Sequence, residues 1–313
     1  MDHFGLGTWF LDGSAWPAVG AGPAKAILNH AFDRGVRHFD TAESYGNGRA
    51  EQLLGQALRT HLRGHRDRIH VATKSVVRPP DSLRSHLERS LRRMGLEYVD
   101  TYYIHWPRHG IDLAGAVEEL SRQRERGLLT RIGLCNVTRR EVEMAQRAAP
   151  VDTVQFGYNL IWRMPESQRL TTLTQHRVAY SVLAQGLLAR PFPYELQWDP
   201  ADHRRTTPLF QAPLWHAVHD FQQEFVNVCW EAGFAPAAVA VLWALNRVDA
   251  ALAGARSIEQ LDRLINGLTA ARARPGDLAH LLQRVTDSST ELQRAIPKLP
   301  NMFGYVPTPC RSC

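Results

Sequence analysis

The chain is nearly without lysine. Lys and Arg together number 37, and only Lys25, Lys74 and Lys298 are lysines, leaving 37 − 3 = 34 arginines. These arginines are spread between carboxylates, with no arginine-rich arm or tail. The net charge of +6 and pI near 9.4 therefore read as coding bias on a solvated surface and predict no nucleic-acid partner. Long apolar runs are missing too. The longest uncharged one, residues 235–245, has 11 residues, against roughly 20 needed to span a bilayer. The opening Met-Asp-His-Phe-Gly-Leu-Gly lacks the basic flank and apolar core of a secretory signal. The expectation is a soluble cytoplasmic protein without a membrane partner.

Cysteine is scarce, and its four positions, Cys135, Cys229, Cys310 and Cys313, are too scattered for a disulfide framework. Cys310-Arg-Ser-Cys313 has metal or redox spacing but no second pair to complete a tetrahedral site. It reads as a solvated tail. His61 and His65 read as residues of a polar loop beyond a helix end, so no metal site is expected. The dinucleotide turn Gly-x-Gly-x-x-Gly is also absent: Gly5-Leu-Gly7 runs into Thr8, Trp9 and Phe10, and Gly46-Asn-Gly48 lacks the third glycine.

What is present is a repeat of short apolar runs and amphipathic helical stretches. The runs lie near residues 4–9, 37–41, 69–74, 99–105, 131–136, 153–156, 178–181 and 250–254. Between them, Asp81 is placed to cap a helix carrying Leu83, Leu87, Leu91 and Met94 on one face, and Gly95 to end it. Pro23 and Gly35 frame the first helix in the same way. Eight strands alternating with helices predict a parallel sheet covered on both faces. With 313 residues at 44% hydrophobic composition, this is an α/β fold: a single (β/α)8 TIM barrel domain over 1–313. Its core spans about 4–268, and 269–313 form a C-terminal helix and irregular tail. The main insertion, from Arg190-Pro-Phe-Pro-Tyr194 to Asp202-His-Arg-Arg-Thr-Thr-Pro208, separates the seventh and eighth strands and belongs over their C-terminal ends.

Barrel enzymes place their chemistry at strand C-termini. There stand Asp40, with Tyr45 following, then Lys74 and His105. A phenol has an ordinary pKa of about 10, and an ammonium beside it lowers that value. Asp40 can pair with Lys74, and His105 can hydrogen-bond a carbonyl oxygen. The four make a proton-donating device for an oxygen that gains charge while its carbon receives hydride. Taken singly, each residue has a structural alternative: an ion pair at the barrel mouth, a core histidine, a surface tyrosine.

These segments resemble the aldo-keto reductase family. Phe39-Asp-Thr-Ala-Glu-Ser-Tyr45-Gly46 with Glu51-Gln-Leu-Leu-Gly55 is similar to its first signature. Val71-Ala-Thr-Lys74, Asp100-Thr-Tyr-Tyr-Ile-His105-Trp106-Pro107 and Ile132-Gly-Leu-Cys-Asn136 follow in order. So do Gln155-Phe-Gly-Tyr-Asn159, the stretch from Ala179 to Leu188, and Gly254-Ala-Arg256-Ser257 with Gln260. The resemblance implies reversible NADPH-dependent reduction of an aldehyde or ketone, with NAD as the alternative cofactor. It makes Tyr45 the general acid, Lys74 and Asp40 the groups that lower its pKa, and His105 the group that orients the carbonyl. It places Asn136 and Gln155 on the nicotinamide carboxamide and Tyr180 against the ring. Ser181, Leu183 and Gln185 lie over the pyrophosphate, with Thr8 and Gly254 lining the cofactor groove. Arg256 and Gln260 hold the adenosine 2′-phosphate end. Trp9 and Trp106 are candidate pocket walls.

The chain departs from the family pattern at Cys135, where serine is usual, at Leu252-Ala253, at Leu264, and in a reduced N-terminal hairpin. Arg78, Arg108 and Arg163 point to a polar or anionic substrate such as a sugar. The expected assembly is a monomer or weak homo-oligomer. Two alternatives stand beside this reading: a cofactor-binding regulatory subunit of the same fold with little turnover, and a metal- or base-dependent isomerase using Asp40 and His105.

Overall fold

The structure is a computed structural model that describes residues 3–76, 79–107 and 111–296. Eight strands form it: β1 (Phe4–Gly7), β2 (His38–Asp40), β3 (His70–Ser75), β4 (Val99–Ile104), β5 (Leu129–Cys135), β6 (Thr153–Gly157), β7 (His176–Tyr180) and β8 (Ala250–Ala253). Each pairs in parallel with the next, and β8 returns to β1, closing the barrel. All eight sequence runs thus become strands, because each buries one set of side chains in the lumen and the other under helices. The register sets Asp40 beside Ala72, Lys74 beside Tyr103, and Cys135 beside Gln155. Gly133 faces Tyr103 across β4 and β5, and a Cβ there would collide with the tyrosine ring. The glycine leaves room for that ring.

The barrel's N-terminal end is tied by a repeated device. Asp100, Asp152 and Asp249 each accept a strand N–H at 2.8 Å, from Val71, Ile132 and Arg177 respectively. Each carboxylate also pairs with an arginine: Arg66, Arg124 and Arg177. Among the described residues only His3 precedes β1, and its carbonyl accepts from Ala251 N at 2.9 Å.

The amphipathic stretch forms the helix Leu83–Met94, with Leu83, Leu87, Leu91 and Met94 buried and Gly95 ending it at φ +67°. Asp81 does not cap it. Pro80 starts a short 3-10 turn over Pro80–Ser82, which carries Asp81 away from the helix N-terminus, and Ser82 takes the cap position without a side-chain bond. His61 and His65 lie in a helix, Arg59–His65, not in a loop; His61 stacks on Phe32 at 3.9 Å. The 11-residue apolar run is the helix Pro236–Leu245, buried from Pro236 to Ala244 apart from Ala237. Among the described residues no single helix is long and apolar enough to cross a membrane. The helix Pro275–Ala295 packs back on the body, with Ser288 Oγ donating to Glu224 at 2.6 Å. Cys310 and Cys313 lie outside the described residues.

The insertion after β7 folds over the C-terminal rim. His203 bonds the Ala15 carbonyl through its backbone N–H at 3.0 Å and approaches it through Nδ1 at 2.9 Å. Its ring packs against Trp9 and Trp16 at 4.7 and 4.4 Å. The segment after β1 and the insertion are thereby clasped across the rim.

Candidate active site

Asp40, Lys74 and His105 stand at the C-terminal ends of β2, β3 and β4, and Tyr45 follows β2. The fold brings all four together. Lys74 Nζ is fully buried, ion-paired with Asp40 Oδ1 and donating to the Thr41 carbonyl at 2.8 Å. Asp40 Oδ2 accepts from Gln155 Nε2 at 2.9 Å. The Lys74 ammonium is 5.4 Å from the Tyr45 ring centroid, and the Tyr45 and His105 rings are 5.8 Å apart, edge to face.

The charge logic differs from the sequence expectation in one respect. The Tyr45 pKa is held well above 10, first by burial and then by the Asp40 carboxylate. Lys74 and Asp40 are the groups the resemblance makes lower it; instead the Asp40 carboxylate raises it, and the Lys74 ammonium is bonded to Asp40 and turned to the Thr41 carbonyl. The phenol is therefore kept protonated. Burial and the Lys74 charge push the His105 pKa well below 6.5, so the imidazole is neutral near pH 7. Its Nδ1 is buried without a hydrogen-bond partner among the described residues. A neutral imidazole has one N–H to offer a carbonyl oxygen.

The expected cofactor residues stand at or after the C-terminal ends of β1 and β5 to β8. Asn136, at φ +59°, donates through Nδ2 to the His105 carbonyl at 3.0 Å and to Cys135 Sγ at 3.2 Å. Its Oδ1 accepts from Tyr180 OH at 2.6 Å. An amide oxygen has two lone pairs and an amide nitrogen two hydrogens. Asn136 Oδ1 thus keeps an acceptor for a carboxamide, while Gln155 is held by Asp40 and the Tyr103 hydroxyl. Cys135 joins the two by donating to Gln155 Oε1 at 3.5 Å. Tyr180 lies against Gly157, where a Cβ would stand 3.3 Å from the ring.

Ser181 and Gln185 take positive φ, +52° and +57°, in the turn after β7, with Leu183 between them. Both amide atoms of Gln185, and Thr8 Oγ1, are buried without a partner among the described residues. Gly254 leaves 3.5 Å between a would-be Cβ and the Gly7 carbonyl. At the far end Arg256 donates to the Pro17 carbonyl at 2.8 Å, and Gln260 Oε1 accepts from Arg256 N at 2.9 Å.

Sequence reasoning missed Arg204. It is ion-paired with Asp202 at 2.6 Å, donates to the Gln185 carbonyl at 3.2 Å and lies 5.1 Å from the Trp16 ring centroid, with Arg256 at 6.0 Å from the same ring. Burial and then this neighbouring charge hold Arg256 below the usual arginine range. The run Asp202-His-Arg-Arg in the insertion was the available signal. Two guanidiniums about one indole, together with the orphaned amide of Gln185, fit a phosphate-bearing dinucleotide.

Trp9 and Trp106 are half-buried at the cleft, Trp106 6.0 Å from the His105 ring. Arg163 does not reach the cleft. Its guanidinium is held by Glu166 at 2.8 Å and Thr290 at 2.9 Å, which fastens the loop after β6 to the C-terminal helix. Arg78 and Arg108 lie outside the described residues. Among the described residues no group of three or more His, Cys, Asp or Glu is placed to hold a metal ion.

A parallel barrel with a buried Asp–Lys pair beside a tyrosine and a histidine defines a carbonyl-oxidoreductase class of site. The chain belongs to the Aldo/keto reductase family, whose model matches residues 3–273. It is 28% identical over 278 residues to the aldo-keto reductase YhdN of Bacillus subtilis, covering 84% of this chain and 83% of that protein. It is 29% identical over 297 residues to the L-glyceraldehyde 3-phosphate reductase of Escherichia coli, covering 87% and 86%. Among solved structures, the glycerol dehydrogenase AKR11B4 of Gluconobacter oxydans superposes with a TM-score of 0.79 at 25% identity, covering 96% of this chain and 94% of that one. An aldo-keto reductase from Klebsiella pneumoniae in complex with NADPH gives 0.67 at 25% identity, covering 94% and 91%.

Proposed function

We propose that the chain reduces a small aldehyde or ketone to the alcohol with NADPH, reversibly, and that Tyr45 is the general acid. The observation that carries this reading is the Asp40–Lys74–Tyr45–His105 cluster, with its phenol held protonated and its imidazole held neutral. Bound NADPH supplies the hydride. The chain's own residues do the rest. His105 directs its N–H at the carbonyl oxygen and orients it, and Tyr45 OH gives that oxygen its proton. The Lys74 charge stabilises the phenolate left behind, and Asp40 keeps the ammonium in place. A positioned general acid is worth about 10²–10⁴ in rate.

Asn136 and Gln155 hold the carboxamide, Tyr180 the nicotinamide face, Ser181, Leu183 and Gln185 the pyrophosphate, and Arg256 with Gln260 the 2′-phosphate end. Thr8 and Gly254 line the groove between. Arg204 joins Arg256 on the phosphate, which favours NADPH over NAD, since guanidinium forks onto phosphate oxygens. Trp9 and Trp106 wall the substrate. The relative named for L-glyceraldehyde 3-phosphate makes small polar aldehydes the first class to try; a panel showing no preference for them over benzaldehydes contradicts that choice. The exposed large apolar residues Met144, Tyr194, Trp230 and Ile258 are scattered over different elements, in keeping with a monomer or weak homo-oligomer.

The test is NADPH oxidation followed by absorbance with an activated aldehyde. Wild type is expected to turn over. Binding of NADPH without turnover of any carbonyl favours the regulatory reading, and absence of nicotinamide binding favours the isomerase.

A further inference from the structure

The barrel holds a second polar cavity at the end opposite the carbonyl site. It measures about 150 Å³ and is lined chiefly by His3, His38, His70, His176 and Arg131. Its ceiling is Tyr103, whose hydroxyl lies 3.2 Å from Thr153 Oγ1. Barrel lumens are ordinarily filled by branched apolar side chains. Here β2, β3 and β7 each begin with histidine, and β5 contributes arginine at its third position. Among the described residues no hairpin covers this end, and His3 and Arg131 are exposed there.

The cavity has a surplus of donors and no carboxylate in its lining. The three aspartates of this end are committed to Arg66, Arg124 and Arg177 and to strand N–H groups. Arg131 has no hydrogen-bond or ion-pair partner among the described residues. His38 Nε2 is buried and unpartnered, and the His176 side chain makes no hydrogen bond to a described residue. His70 Nε2 meets Thr101 Oγ1 at 3.0 Å, and His3 Nδ1 the Asp249 carbonyl at 2.8 Å. Permanent positive charge with unsatisfied imidazoles and no lining carboxylate is suited to an anion and not to a cation.

We propose that this cavity binds one small tetrahedral oxyanion, either inorganic phosphate or the phosphoryl end of a small monoester, held by the Arg131 guanidinium and imidazole N–H groups. At about 30 Å³ per liquid water, the space takes an oxyanion with a few waters and not a nucleotide. The site is separate from the carbonyl chemistry: the Tyr103 ring intervenes, with Lys74 Nζ 5.9 Å from its centroid on the far side.

Proton uptake accompanies binding. Burial pushes His70 down to about 4 and lowers His38 and His176, and Arg131 contributes to all three. The other groups acting on these rings are His70, His176 and Lys74 on His38, Asp100, His176 and Arg66 on His70, and Asp249, His3 and Arg177 on His176. A bound anion favours the protonated imidazoles and raises their pKa values, so binding tightens as pH falls.

The experiment titrates NADP-saturated protein, whose cofactor phosphate pocket is filled, with inorganic phosphate, glycerol phosphate and sulfate by calorimetry. The expected result is one saturable site, weakened at least tenfold in Arg131→Gln with aldehyde reduction unchanged. Sulfate keeps its charge between pH 8 and 6, so its binding reports the imidazoles and should tighten at least threefold. Equal binding of glycerol phosphate and phosphate marks an ester's phosphoryl end as the ligand; exclusion of the ester marks the free ion. Saturating sulfate should also shift the ring resonances of His38, His70 and His176. No saturable binding, or binding untouched by Arg131→Gln but lost in Arg256→Gln, overturns the proposal. So do unmoved histidine resonances.

Discussion

The Lys74 ammonium stands 5.4 Å from the Tyr45 ring centroid, yet its hydrogen bonds run to Asp40 and the Thr41 carbonyl. The carboxylate thus sets the resting state of the phenol as much as the ammonium does. Removing Asp40 takes away a negative charge that raises the Tyr45 pKa and leaves the Lys74 charge to lower it. In Asp40→Asn the high-pH fall of the reduction rate should therefore move to lower pH. The rate–pH profile checks this; a basic limb in the wild-type position contradicts it.

Lys74 is buried, and its loss strands the Asp40 carboxylate in protein. Breaking a buried ion pair from one side costs about 3–5 kcal/mol. Lys74→Met should lose stability on that scale in urea unfolding, and adding Asp40→Asn should recover part of it. A single variant as stable as wild type would show that the pair is solvated.

Arg256 and Arg204 sit about Trp16, Arg204 paired with Asp202 and Arg256 without an ion-pair partner among the described residues. A charge-assisted hydrogen bond contributes about 1.5–3 kcal/mol, roughly 10- to 100-fold in affinity. Arg256→Gln should raise the KM for NADPH on that scale and leave the KM for NADH nearly unchanged. Equal effects on both cofactors would place the arginine away from the 2′-phosphate.

His70 carries a pH signature of its own. Its pKa falls from 6.5 unfolded to about 4 folded, so the unfolded chain takes up the proton first as pH drops. Stability from the neutral ring is fully present above pH 6.5 and is lost as pH falls toward 4, by about 3 kcal/mol. His70→Gln should flatten the urea midpoint over that window. Sulfate should oppose the loss in wild type if the floor cavity binds it.

Strand positions and the grouping of Asp40, Lys74 and His105 were legible because the second, third and fourth apolar runs carry a polar residue at or near their C-terminal end, which an enzyme barrel aims into its mouth. Asp81 was misread as a cap because Pro80 starts a tighter turn, which helical spacing does not reveal. Arg163 resembled a cleft residue by its distance from Gln155, but Glu166 three residues on and the C-terminal helix capture it. Arg204 was hidden in an insertion whose path over the rim depends on His203 meeting Ala15. The floor histidines begin different strands far apart in the chain, and only barrel closure makes them neighbours.

The central claim is that Tyr45 delivers the proton from a site that binds NADPH independently of it. The most direct measurement is single-turnover NADPH oxidation with an activated aldehyde, with cofactor affinity determined on the same samples, for wild type and Tyr45→Phe. The account predicts a fall of about 10²–10⁴ in the reduction rate, with NADPH affinity within about threefold of wild type. A Tyr45→Phe protein that binds NADPH and reduces the aldehyde at the wild-type rate would contradict it.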